Sequence, residues 1–119
     1  MSKPVATPGQ VVELPKSATT DLNQKTVLIK TGEVQTTHLI IPAGSTVPTY
    51  EAAGQIILHC LEGRISMTAR GETQELRAGQ LLYLRLNEAF SMFAIEQASV
   101  LATVIVLKQG TAVELIGDQ

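Results

Sequence analysis

Residues 44–63, GSTVPTYEAAGQIILHCLEG, begin and end at glycine and enclose one apolar run. Its last two residues, Glu62 and Gly63, have the composition of a hairpin tip, as do Arg70 and Gly71 further along. A third glycine, Gly79, begins the next apolar run. Short runs rich in β-branched residues, separated by glycines, predict antiparallel strands joined by tight turns.

The same rhythm extends over nearly the whole chain of 119 residues, of which 45% are hydrophobic. This length and composition predict one packed domain over residues 10–119. Residues 1–9 hold two prolines, a glycine and small polar residues, so we expect a flexible N-terminal arm there. Since no apolar stripe at helical spacing is present, the chain is predicted to be all-β with little or no helix. Strands are expected at 10–14, 25–31, 34–41, 55–61, 64–69, 73–76, 81–86, 89–95, 100–107 and 112–115.

The charge and cysteine content exclude several classes of partner. The formal net charge is -2, from nine Lys and Arg against eleven Asp and Glu, and the charges are scattered along the chain. This balance argues against nucleic acid and against a membrane surface as partners. Cys60 is the single cysteine, and the N-terminus has no apolar stretch typical of a secretion signal. We therefore expect a cytoplasmic protein.

Two predicted strands are apolar on both faces. They contain residues 56–58 (IIL) and 100–107 (VLATVIVL). A strand with one solvated face would alternate, so both faces are expected to be covered. One face can line the interior of a barrel, and the other needs the N-terminal segment or a second subunit. The pattern therefore predicts a homodimer, with exchanged arms as one possible mode.

The spacing of the glycines resembles that of the cupin superfamily. The first cupin motif is Gly, five residues, His-x-His, three or four residues, Glu, six residues, Gly. Aligned from Gly44, it ends on Gly63 without an insertion or deletion and places the metal-binding positions at Tyr50, Ala52 and Ile56. The resemblance implies a cupin-type double-stranded β-helix, a jelly-roll-like barrel.

The second cupin motif is Gly, five residues, Pro-x-Gly, two residues, His, three residues, Asn. Started at Gly79, it places the glycine at Asn87, the histidine at Phe90 and the asparagine at Ala94. Asn87 can replace glycine because asparagine tolerates the left-handed conformation. The resemblance implies that the histidines and glutamate of metal-binding cupins are replaced here by one phenol and three hydrocarbon side chains. We expect no metal and no other cofactor at this site.

Strand alternation predicts what occupies the interior instead. If the barrel has this register, Tyr50, Ile56, Leu58, Phe90 and Met92 face inward, with the phenol as the polar group. Such a lining suits a small apolar or aromatic ligand. The same side chains would equally form a solid core with no site, and the sequence leaves both possibilities open.

The remaining reactive residues give weaker hypotheses. His38 lies on the strand before the first motif, and the sequence does not determine which way its side chain points. If the side chain points inward, His38 would be the best general base. His59 should point away from the interior, and Cys60 should be a buried, inert thiol. Glu51 and Arg85 either border the mouth of the pocket or are solvated surface charges.

Three classes of function remain. The first is a non-catalytic, metal-free barrel that binds or senses a small molecule. The second is a metal-independent acid–base enzyme, similar to the isomerases and epimerases among cupins, with Tyr50 as the acid and His38 as the base. The third is a solid structural or interaction barrel. Because oxygen activation needs a redox metal or an organic cofactor, the missing ligands argue against oxidative chemistry. We favour the first.

Overall fold

A computed structural model describes residues 5–14, 25–85 and 87–106, which form nine strands and no helix. The strands are β1 (Lys25–Lys30), β2 (Val34–Ile41), β3 (Thr46–Tyr50), β4 (Gln55–Glu62), β5 (Arg64–Ala69), β6 (Glu72–Arg77), β7 (Gln80–Leu84), β8 (Phe90–Ala94) and β9 (Ala98–Ile105). The prediction of an all-β chain is confirmed for these residues.

The strands form two sheets that face each other. One has five strands in the order β1-β2-β9-β4-β7, and the other has four in the order β3-β8-β5-β6. All neighbouring strands are antiparallel. At one side of the sandwich both sheets end in an edge strand, β1 in the first and β3 in the second. This is the side on which the interior can open to solvent.

Side-chain alternation fills the space between the sheets. On β4, Ile56, Leu58 and Cys60 are at most 2% exposed, and on β8, Phe90, Met92 and Ala94 are at most 4% exposed. The residues between them are less buried and point outward. The facing predicted from the sequence for these two strands is therefore correct.

The turns explain why the motif glycines are needed. Gly44, Gly63 and Gly79 all have positive φ, at 83°, 81° and 88°. A Cβ atom at Gly63 would also collide with the backbone carbonyl of Gln97. Asn87 has φ 65°, the left-handed conformation that its role as a glycine substitute requires. The glycine framework of both motifs thus has a backbone cause.

Two strand predictions were wrong. Residues 10–14 form no strand, and β3, which the sequence analysis omitted, is present at Thr46–Tyr50. Pro48 cannot donate a ladder hydrogen bond, but β3 lies at a sheet edge, where proline is tolerated. The strand predicted at 112–115 lies outside the described residues.

The described part of the N-terminal segment contacts the edge of the first sheet. The Ala6 N–H donates a 2.8 Å hydrogen bond to the Leu28 carbonyl on β1. The predicted division into an arm at 1–9 and a domain at 10–119 stays a prediction. In the described part of the chain, no helix has the length and hydropathy needed to cross a membrane.

Candidate ligand-binding cavity

A cavity of about 340 Å³ lies between the two sheets, at the side where β1 and β3 form their edges. Its wall comes from strands of both sheets, so it belongs to the interior of the sandwich. The lining residues are Lys25, Gln35, Thr37, Leu39, Val47, Pro48, Thr49, Tyr50, Ile56, Leu58, Phe90, Met92, Ala102 and Val104.

The inner wall of the cavity is apolar. Ile56 and Leu58 project from β4, and the register of β4 with β9 places Val104 and Ala102 directly beside them. From the opposite sheet, Phe90 and Met92 complete this wall. Since these β4 and β8 side chains are at most 4% exposed, the deep part of the cavity offers dispersion contacts and no charge.

Tyr50 stands at the mouth of the cavity. Its side chain is 50% exposed, and its ring meets the Phe90 ring edge to face, with centroids 6.0 Å apart. This geometry is favourable for two aromatic rings and fixes the phenol beside the opening. Tyr50 therefore combines an apolar contact inside with a hydroxyl group that reaches solvent.

The polar part of the lining comes from β1 and β2. Lys25 pairs with Leu39 across these strands, so the two side chains share the cavity face. On β2, the Gln35 amide donates a 3.5 Å hydrogen bond to the Thr37 hydroxyl oxygen. Among the described residues that line this cavity, Lys25 carries the only charge. The mouth is thus cationic and rich in hydrogen-bond donors.

A smaller cavity of about 190 Å³ adjoins the first. The two share Gln35, Tyr50 and Val104, so these residues form a common wall. The smaller cavity is bordered by the exposed residues Gly32 and Glu33 of the turn that connects β1 with β2. The Glu33 carboxylate therefore borders the smaller cavity and not the larger, apolar one.

Five of the six residues predicted for the pocket line the cavity. Tyr50, Ile56, Leu58, Phe90 and Met92 come together there. Whether the cavity holds a ligand stays a prediction, but the space that such a ligand needs is present.

His38 is the exception: the sequence left open which way its side chain points, and the structure places it outside the cavity lining. Gln35, Thr37 and Leu39 take the cavity face of β2, so alternation sends His38 to the outer face. There it is 1% exposed, and its Nε2 atom lies 2.6 Å from the Ser99 hydroxyl oxygen. Burial lowers the pKa of His38, and the charge of Glu62 partly opposes this effect. His38 therefore does not reach Tyr50 across the cavity.

Residues of β1, β2 and β3 were missing from the sequence prediction. Lys25, Gln35, Thr37 and Val47 line the cavity but belong to strands without a clear alternation of apolar and polar residues. No local pattern identifies Gln35 and Thr37, because the direction of their side chains follows from the pairing of β2 with β1 and β9. The contribution of Lys25 depends on how the two sheet edges meet, which no local pattern encodes.

The other reactive residues lie away from the cavity. His59 is half-buried on the outer face of β4, as predicted, and Glu51 and Arg85 are exposed and outside the lining. Cys60 is fully buried, and burial raises the pKa of its thiol, although its contact with the Glu62 carbonyl partly offsets this effect. A thiol of this kind is unreactive near neutral pH.

The four residues that the motif alignment assigns to metal-binding positions supply few donors for a metal. Tyr50, Ile56 and Phe90 line the cavity, and Ala52 is buried beside it in the same core. Together they supply one phenol oxygen, whereas a transition metal needs about three or four imidazole, thiolate or carboxylate donors. Within residues 5–14, 25–85 and 87–106, no cluster of three or more His, Cys, Asp or Glu has a metal-binding arrangement.

Comparison with solved structures identifies the fold. A conserved protein of unknown function from Streptococcus pyogenes has a TM-score of 0.74 at 14% identity, over 91% of this chain and 99% of that one. A cupin superfamily protein from Desulfitobacterium hafniense has a TM-score of 0.73 at 16% identity, over 88% and 100%. An RmlC-like cupin with a double-stranded β-helix from Methanocaldococcus jannaschii has a TM-score of 0.68 at 19% identity, over 85% and 94%.

The chain therefore has the fold of the cupins, a double-stranded β-helix. No protein-family model and no curated protein sequence matches it. At these identities the likeness establishes the architecture and carries no activity from one protein to another. The function has to be argued from the cavity.

Proposed function

We propose that this cupin barrel binds a small, mostly apolar or aromatic molecule without a metal, as a binding or sensory protein. The observation that carries the proposal is the apolar cavity of about 340 Å³ with a polar mouth. This volume lies at the lower end of the range for small-molecule sites, about 300–1,000 Å³. At about 30 Å³ for each water-sized group, it accommodates roughly ten non-hydrogen atoms.

The composition of the lining supports binding over catalysis. Among the described lining residues, Tyr50 and Lys25 are the two with an ionisable side chain. Neither has a carboxylate or imidazole partner in the lining. General acid–base chemistry needs a second group within hydrogen-bond reach of the substrate. With His38 on the outer face, no observation favours the isomerase-like alternative.

Methyl NMR spectroscopy tests this proposal. Protein labelled at isoleucine and methionine methyl groups is titrated with fragments of about ten non-hydrogen atoms, such as 3-phenylpropanoate and 3-phenylpropanamide. We expect the Ile56 and Met92 signals to shift, because both side chains line the cavity. Ile65 is the internal control, since it is fully buried on β5 but outside the lining. Equal shifts at all three positions, or none, would contradict binding in the cavity.

A cavity-filling variant provides the matched control. Ala102 lines the cavity from β9, so Ala102→Leu should fill part of the space and abolish the fragment-induced shifts. Thr103→Val changes the next residue, whose hydroxyl lies 3.2 Å from that of Thr36 on the outer face. This second variant should bind fragments like the unmodified protein. Binding that survives Ala102→Leu would place the ligand elsewhere.

We further propose that a second copy of the chain covers the β7 end of the outer face of the five-stranded sheet; at the β2 end, His38 and Ser99 are already buried within one chain. Leu81 and Tyr83 on β7 are 62% and 53% exposed, and they pair with His59 and Ile57 on β4. On the other side of β4, His59 and Ile57 pair with Leu101 and Thr103 of β9. Leu81 and Tyr83 therefore continue a largely apolar surface that extends across three strands. Such a surface on an outer sheet face is typical of an interface between subunits.

Sedimentation equilibrium tests the dimer. Leu81→Glu should convert the dimer to a monomer, because it buries an unpaired charge in the contact. Thr73→Glu is the control, since Thr73 is an exposed residue of the other sheet. A monomeric unmodified protein, or a dimer that both variants leave intact, would contradict the interface.

The single buried cysteine supports a location in the reducing cytoplasm, which cell fractionation would test.

A further inference from the structure

The cavity is apolar inside and cationic at its mouth, and this asymmetry narrows the class of ligand. We infer that the ligand is an amphipathic carboxylate, with its hydrocarbon or aromatic body inside the cavity and its anionic group beside Lys25. The inference rests on the proposed binding function. It adds the charge and the orientation of the ligand, which the apolar lining does not specify.

The first observation is the position of Lys25. Its pairing with Leu39 places the side chain on the cavity face of β1, and the residue itself is exposed. In the described part of the chain, no ion pair engages Lys25, whereas four ion pairs hold Arg64, Arg70 and Arg77. The ammonium group is therefore available to a ligand that enters between β1 and β3.

The second observation is the set of hydrogen-bond donors beside it. Gln35, Thr37 and Tyr50 contribute an amide and two hydroxyl groups to the same lining. Tyr50 is held at the mouth by its contact with Phe90. A carboxylate can accept hydrogen bonds from these groups while its charge faces the lysine. A neutral head group can accept a hydrogen bond from the lysine but lacks the attraction between opposite charges, and a cationic head group is repelled.

The third observation is the distribution of negative charge. Glu33 borders the smaller cavity, on the other side of the wall formed by Gln35, Tyr50 and Val104. Among the described lining residues, none brings a carboxylate into the larger cavity. Lys25 therefore attracts the anionic group of a ligand, and no carboxylate among the described lining residues repels it. This favours one orientation of the ligand.

A lysine on an edge strand has another possible role. Charged side chains at sheet edges discourage edge-to-edge pairing with other chains, and β1 is an edge strand. That role requires no ligand and predicts no preference for anions. A comparison of ligands that differ only in charge therefore separates the two roles.

The test uses 3-phenylpropanoate, 3-phenylpropanamide and 3-phenylpropylamine, together with hexanoate and hexanamide. Affinities are measured by calorimetry, and the site is verified by the Ile56 and Met92 methyl signals. We expect each carboxylate to bind roughly five to ten times more tightly than its amide, with the amine weakest. Because the charge contact is near solvent, added salt should reduce this preference and leave amide binding unchanged.

Variants of Lys25 complete the test. Lys25→Met keeps the apolar stem and should lower carboxylate affinity to about that of the amide, while amide affinity changes much less. Lys25→Arg should retain the preference, and Arg77→Gln should not affect it, since Arg77 is a surface cation of the other sheet. If amides bind as tightly as carboxylates, the inference is wrong and the proposed function stands. If no member of either series shifts the cavity methyl signals, the proposed function itself is contradicted.

Discussion

Replacing Phe90 by alanine should lower the free energy of unfolding by about 3 kcal/mol, whereas Phe93→Ala should cost about 1 kcal/mol. The two residues lie on the same strand and differ in facing. Phe90 is 4% exposed and points between the sheets, whereas Phe93 is 42% exposed on the outer side. Comparing the two substitutions therefore tests directly which residues of β8 face the interior.

The magnitude for Phe90 follows from its surroundings. Truncation of a buried phenylalanine costs about 3–5 kcal/mol, because transfer and cavity terms add. Phe90 already borders a cavity, so it has fewer packing partners on that side, and we expect the lower end of this range. Loss of the edge-to-face contact with Tyr50, worth about 0.5–1.5 kcal/mol, is included in this value.

Urea denaturation provides the assay. The unmodified protein and both variants are unfolded at equilibrium, and the midpoints are compared at a common slope. For a domain of this size, the Phe90 variant should also melt roughly 10–15 °C lower. Equal costs for the two substitutions, or a larger cost for Phe93→Ala, would refute the assignment of Phe90 to the interior.

Three further predictions concern the turns, the outer face and the metal positions. Gly63→Ala should lower the free energy of unfolding by about 2 kcal/mol or more, because φ is positive there and a Cβ atom would meet the Gln97 carbonyl. Gly79→Ala should lower it by about 1 kcal/mol, because φ is also positive but the space around the Cβ is open. Similar unfolding midpoints for the two variants would contradict this. Because burial lowers the pKa of His38, the unfolded chain binds more protons than the folded chain near and below pH 6.5, so stability should fall as the pH drops through this range. The slope of unfolding free energy against pH should flatten in His38→Gln, and an unchanged slope would contradict the assignment. Phe90→His should destabilise by about 1–3 kcal/mol without creating a metal site, and one tightly bound transition-metal ion per chain in elemental analysis would overturn that expectation.

Much of the fold could be predicted because its turns and strands have local causes. Gly44, Gly63 and Gly79 occupy backbone conformations that few other residues adopt, and Asn87 is one of the few substitutes that tolerate them. Clear alternation on β4 and β8 predicted four side chains that line the cavity, and the motif alignment added Tyr50. These features depend on residues that are close in sequence, so a pattern can report them.

The errors occurred where facing or pairing depends on the rest of the molecule. β2 reads VQTTHLII, which has no consistent alternation, so the outward position of His38 became evident only from its pairing with β1 and β9. Pro48 concealed β3 because proline is acceptable in a strand only at a sheet edge. Lys25 reaches the cavity because two sheet edges meet there, which is a property of the tertiary structure.

The most direct test of the central claim is a crystal structure of the protein grown with 3-phenylpropanoate. We expect an open space between Leu58 and Phe90 that contains the phenyl ring, with the carboxylate directed toward Lys25. We also expect no metal ion among Tyr50, Ala52, Ile56 and Phe90. A solid interior, in which side chains of the two sheets meet without a cavity beside Tyr50, would contradict the account.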